Sequence, residues 1–148
     1  MEGSIGPVRK SVTVALGVDD AFKLFTEGIA GWWPVERHSI GEDRVKDVVF
    51  EPSSGGEIYE VWDDGSKHHW AKISAYEASS RFVLQWKPNP ERAAPTEVEV
   101  RFVAEGSGTR VELEHRGWER LGEEGPERRA SYDGGWPVTL GRFAEAAA

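Results

Sequence analysis

The chain contains no cysteine, which excludes disulfides, thiolate metal sites and thiol catalysis and points to a reducing compartment. Basic residues are in deficit: 18 Lys and Arg stand against 26 Asp and Glu, a formal net charge of −8. Phosphate backbones and anionic lipid surfaces require a clustered basic face, so the composition argues against nucleic-acid and membrane partners. No run approaches 18 apolar residues, and Met1-Glu2-Gly3 lacks the basic and apolar regions of a signal peptide, so a cytoplasmic protein is expected. There is no glycine-rich phosphate loop, no dinucleotide fingerprint, no Gly-x-Ser-x-Gly and no serine beside an evident base. Nucleotide chemistry and nucleophilic catalysis therefore lack their residues, and no cofactor is implied.

What is present is one domain's worth of chain, residues 1–148, 39% hydrophobic and 30% charged, with Met1 to Pro7 read as a loose terminus. It carries seven tryptophans: Trp32, Trp33, Trp62, Trp70, Trp86, Trp118 and Trp136. Each buries roughly 150–250 Å² and needs a partner for its indole N–H. Seven of them fill a heavy core or line an aromatic cavity, and the two readings differ in volume. A carrier needs a continuous space of some hundreds of Å³, whereas an interaction domain can be solid.

The strongest helical signal lies in Gly125–Ala148, where Tyr132, Trp136, Leu140, Phe143 and Ala147 fall on one face. Gly125-Pro126-Glu127 suits a helix start, while Gly134, Gly135 and Pro137 predict a kink near Trp136. Val8–Leu16 alternates as a half-buried strand. A short helix capped by Gly17 or Asp19 follows, with Ala21, Phe22, Phe25 and Ile29 on one side, and then a helical turn carrying Trp32 and Trp33 up to Pro34. Arg44–Glu51 reads as a strand whose buried face is open.

Asp64-Gly65, taken as a two-residue hairpin turn, pairs Ile58 with Ala71, Tyr59 with Trp70, Glu60 with His69 and Trp62 with Lys67. A second turn at Ala78-Ser79 pairs Ala71 with Trp86, Ile73 with Leu84 and Ala75 with Phe82. The apolar side is the inner side, so Glu60 and His69 are expected inward as opposed neighbours, an arrangement that a one-residue bulge would undo. Tyr59, Val61 and Trp70 then form an outer aromatic patch fit for a homodimer or protein partner, unless Trp70 bulges inward. Thr96–Ala104 and Thr109–Arg116 make a further hairpin that pairs Phe102 with Val111, Val100 with Leu113 and Val98 with His115, leaving Glu97, Glu99, Arg101, Arg110, Glu112 and Glu114 on a solvated face. His115 becomes a third inward polar group. Trp118 and Leu121 are anchors beneath the terminal helix, and Gly134, Val138 and Gly141 on its back either admit a neighbour or accompany the kink. The order is strand, two short helices, about six antiparallel strands and one long helix, an α+β class.

These pieces resemble the START-like helix-grip superfamily (SRPBCC), and within it the group of the C-terminal domain of the heat-shock protein 90 ATPase activator. The resemblance rests on Val8–Leu16 leading into Gly17-Val18-Asp19-Asp20-Ala21-Phe22, on Asp64-Gly65 with Trp70-Ala71-Lys72-Ile73, on Ser80 to Trp86, on Glu114-His115-Arg116-Gly117-Trp118 and on Gly135-Trp136-Pro137-Val138-Thr139-Leu140. It implies a curved antiparallel sheet of about seven strands gripping a C-terminal helix around an apolar cavity, with functions that range over lipid, hormone or polyketide binding, cyclisation, self-resistance and chaperone stimulation. The activator architecture includes a further N-terminal domain for which 148 residues leave no room, which lowers the chaperone reading.

The reading that results is a binding domain for an apolar or aromatic small molecule, lined by Trp33, Glu60, Trp62, His69, Ile73, Trp86, Phe102, His115, Tyr132, Trp136, Leu140 and Phe143. The alternatives are a cyclase or hydrolase using His69 as base with Glu60 orienting it, and a chaperone-activating interaction domain. No metal site is expected: His68 and His69 point to opposite faces of one strand, and His38, His69 and His115 would meet only by tertiary accident.

Overall fold

The computed structural model describes residues 6–33, 44–87 and 95–148. Seven antiparallel strands form one curved sheet in the order β1-β7-β6-β5-β4-β3-β2. The strands are β1 (Val8–Val14), β2 (Val45–Phe50), β3 (Glu57–Trp62), β4 (Lys67–Glu77), β5 (Arg81–Trp86), β6 (Thr96–Glu105) and β7 (Gly108–Arg116). Helix α1 (Val18–Thr26) and a 3-10 turn at Ile29–Gly31 follow β1, and a 3-10 segment at Trp118–Glu124 leads into α2 (Gly125–Ala146). Helix α2 runs on through Gly134, Gly135 and Pro137, the residues on which the kink was expected. Gly6 and Pro7, expected to be loose, offer their carbonyls to Arg129 of α2, and Lys10 of β1 pairs with Asp133 at 3.0 Å.

The β6–β7 hairpin keeps the expected register: Phe102 faces Val111, Val100 faces Leu113 and Val98 faces His115. The β3–β4 hairpin does not. Its loop has three residues, Asp63-Asp64-Gly65: the Gly65 N–H reaches the Trp62 carbonyl, the Trp62 N–H reaches the Ser66 carbonyl, and Gly65 sits at φ +86°. That is a type I turn closed by a left-handed residue, a position where glycine carries no Cβ penalty. The longer loop slides the register by one, so Glu60 faces His68 and Tyr59 faces His69. A bulge at Trp70 then restores the Ile58–Ala71 pair. Consecutive Trp70 and Ala71 are consequently both buried.

Two expectations fall with that register. His69 stands on the other face, 48% exposed, with Nε2 3.5 Å from the Glu57 carboxylate. Trp70 is inside at 2% exposure, so the proposed outer patch reduces to Tyr59 and Val61, with Lys67 lying 5.1 Å from the Tyr59 ring. The β4–β5 pairs Ala71–Trp86 and Ile73–Leu84 form as expected, but a further irregularity after Ile73 sets Ala75 against Val83 and Tyr76 against Phe82.

The outer face is not simply solvated. Glu99 is only 5% exposed and accepts hydrogen bonds from Arg81 at 2.9 Å, Arg101 at 3.0 Å and Arg116 at 2.8 Å. Burial alone would raise its carboxyl group; those guanidinium hydrogen bonds outweigh it and hold Glu99 below the ordinary glutamate range. Glu99→Leu leaves three cations around an apolar stub and is expected to cost about 1–2 kcal/mol, discounted because the arginines remain partly solvated. A urea midpoint shift that shrinks with added salt would report it.

Candidate functional site

The interior divides into two aromatic regions. Phe22, Phe25, Phe82, Phe102 and Phe50 pack edge-on beneath α1, where Trp32 and Phe143 of α2 close the cluster. The other region is built of tryptophan. Trp33 lies with its ring centroid 4.7 Å from Trp70, 6.2 Å from Trp86 and 6.0 Å from Trp136. Trp70 and Trp86 stand on the sheet and Trp136 on α2, while Trp33 comes from the segment that follows the Ile29–Gly31 turn.

Among the described residues, side chains fill most of the space between sheet and α2. An apolar gap of about 10 Å³ survives among Trp33, Trp70, Trp86, Leu84, Val98 and Trp136, room for about one water-sized sphere. Among the described residues, the gap that these indoles bound is far smaller than the some hundreds of Å³ expected. A larger depression of about 310 Å³ lies elsewhere, walled mainly by the mixed charges of Arg9, Lys10, Glu99, Arg101, Glu112 and Glu114.

Several polar atoms of the tryptophan region are bonded to one another. The Trp136 Nε1–H donates to His115 Nδ1 at 3.1 Å. With Nδ1 accepting, the ring proton sits on Nε2, which faces Thr96 Oγ1 at 2.7 Å. Trp118 donates to the His115 carbonyl at 2.9 Å, and Trp86 donates to the Tyr132 hydroxyl at 3.0 Å. His115 is thus a neutral clasp between β7, β6 and α2, and burial drives its pKa down to about 3. With both nitrogens engaged it has no lone pair for a substrate proton.

Glu60 is also fully buried, 0% exposed. Trp70 Nε1–H donates to one of its carboxylate oxygens and Trp62 Nε1–H to the other, each at 2.6 Å. Charged acceptors receiving two N–H donors are the form in which a carboxylate persists in an apolar wall. Opposite Glu60, where His69 was expected, stands His68. Its ring stacks on Trp62 with centroids 3.6 Å apart and planes 20° apart, and the Arg44 guanidinium carbon is 5.2 Å from the same indole.

Of the expected lining residues, Trp33, Trp86 and Trp136 surround the gap, while Glu60 and Trp62 continue the wall toward the β3–β4 turn. His115 and Tyr132 belong to the clasp, and Ile73, Phe102, Leu140 and Phe143 are ordinary core. His69 is outside the site. His38 lies outside the described residues, and among the described residues no group of three or more His, Asp and Glu side chains is placed to hold a metal ion. No helix of the described residues is long and apolar enough to cross a membrane.

Against this geometry the comparisons are informative. The family model described as Activator of Hsp90 ATPase homolog 1-like protein matches residues 16–148. The chain belongs to that family. Among solved structures, this activator-like chain is 37% identical to the anthrahydroquino-gamma-pyrone synthase Txn09, complexed with SUM, over 98% of this chain and 99% of that one, with a TM-score of 0.65. It is 30% identical to CalC, a self-sacrificing resistance protein from Micromonospora echinospora, over 96% and 94% of the two chains, with a TM-score of 0.69. The Aha1 dimer from Colwellia psychrerythraea, at 16% identity, TM-score 0.67 and coverage of 97% and 96%, shares the fold. None of the curated proteins matches.

Proposed function

We propose that this activator-like domain binds a planar, polycyclic aromatic molecule between its sheet and α2. The observation that carries the reading is the indole-faced wall of Trp70, Trp86 and Trp136 around Trp33, in a chain 37% identical, end to end, to a gamma-pyrone synthase. Flat aromatic faces recognise flat aromatic ligands by offset stacking and area burial. Because the gap is about 10 Å³, the ligand takes the place of Trp33, the cage member whose backbone belongs to neither sheet nor long helix.

A hydroxylated anthraquinone such as alizarin is the probe. Its titration should quench tryptophan fluorescence with one-to-one stoichiometry and micromolar affinity, and Trp33→Ala should bind at least about tenfold more tightly, because displacement of the indole no longer opposes binding. Equal affinity in the two proteins would contradict the displacement of Trp33. Native mass spectrometry of protein isolated from its own host should show a retained small molecule.

A second reading follows from the filled interior together with the family model: an interaction domain that stimulates a chaperone ATPase. Added to purified chaperone, the domain would raise ATP turnover; a flat response removes this reading. The loss of Trp70 from the outer face leaves it less surface to work with.

A further inference from the structure

Resting on the aromatic-ligand reading, we infer that His68 is the proton acceptor of this site and that the ligand class is hydroxylated, a phenolic or enolic O–H meeting His68 Nδ1. The imidazole is held in one tautomer by a relay in the β3–β4 turn. Ser66 Oγ donates to Asp64 Oδ1 at 2.6 Å, which uses its only hydrogen. Its contact with His68 Nε2 at 2.8 Å is therefore made by a ring N–H donating to Ser66 Oγ. Nδ1 is left with its lone pair and has no hydrogen-bond partner among the described residues.

The position is as informative as the tautomer. His68 faces Glu60 across β3 and lies flat on Trp62; Trp62 and Trp70 share the Glu60 carboxylate; and Trp70 is the near neighbour of Trp33. A fused-ring ligand that replaces Trp33 and is longer than an indole runs along this wall toward His68. In the transfer the ligand O–H bond breaks, its electron pair stays on oxygen, and the proton passes to Nδ1. The imidazolium then keeps its Nε2–H on Ser66 and faces the Asp64 carboxylate. Among the described residues, the charged groups placed near it are Glu60, opposite it on β3, Asp64 in the turn and Arg44, which lies over the Trp62 indole. His115 cannot serve, since both its nitrogens are engaged.

The test reads the visible spectrum of bound alizarin, whose colour reports ionisation of its phenol. In the wild-type protein the bound dye should ionise at a pH at least one unit below that of the free dye, a tenfold shift. His68→Gln, and independently His68→Phe, which retains the stack on Trp62, should still bind the dye, about tenfold more weakly than wild type once it is ionised, and lose that shift. A shift that survives in a variant that binds overturns the assignment. Binding by the wild type without any shift overturns it as well, while leaving the aromatic-ligand reading intact. No binding of the dye by the wild type overturns both.

Discussion

Trp136→Ala is expected to lower the unfolding free energy by about 3–5 kcal/mol, the cost of removing a buried indole whose space does not collapse. Trp136 is surrounded by Trp33, Trp86 and Tyr132 and is one of the α2 residues that plug into the sheet. Trp136→Phe separates the two parts of the loss. It keeps most of the apolar area but removes the donor to His115 Nδ1, leaving a buried acceptor unpaired at about 1–3 kcal/mol. Urea denaturation of the two variants measures the split. If Trp136→Phe were neutral, the clasp would contribute nothing and α2 would be held by area alone.

Stability is expected to fall with acidification well above the range where carboxylates titrate. His115 has a pKa of about 3 in the fold against an ordinary value of 6.5, so as pH drops below 6.5 the unfolded chain takes up a proton that the folded one refuses. The contribution is complete above pH 6.5 and is lost progressively as pH falls toward 3, at up to about 1.4 kcal/mol per pH unit. Glu97, Glu99 and Glu114, all held below the ordinary glutamate range in the fold, add a slope of the same sign only at lower pH. Measurements between pH 6.5 and 5 therefore isolate the histidine. His115→Gln retains one acceptor and one donor and should flatten the slope; a variant slope equal to wild type would remove His115 from the account.

How much of this was legible in the sequence depended on chain regularity. The β6–β7 hairpin has no irregularity, so its alternation set Val98, Val100 and Phe102 against His115, Leu113 and Val111 and brought His115 inside. In β3–β4 a three-residue loop and a bulged Trp70 each displace the register by one, and together they cancel at Ile58–Ala71. Between the two irregularities every side chain changes partner, which is why His68 rather than His69 faces Glu60. Two signals pointed there: the adjacent apolar pair Trp70-Ala71 in an otherwise alternating strand, and Ser66 placed two residues beyond Asp64, where the Asp64 carboxylate receives its backbone N–H at 2.9 Å. Glu99 was misread because a charged residue on an alternating face looks solvated until neighbouring strands deliver their arginines. Whether seven tryptophans fill or line a space depends on side-chain packing in three dimensions, which periodicity does not encode.

That last point is the centre of the account: the tryptophan cage is filled by its own Trp33 and yields that place to a flat aromatic guest. The most direct measurement follows the indole N–H signals by ¹H–¹⁵N NMR while alizarin is added. The account predicts that the signals of Trp33, Trp70, Trp86 and Trp136 move together, with Trp33 moving most. Perturbations confined to outer-face residues such as Tyr59 and His69, with all four cage signals unmoved, would contradict it.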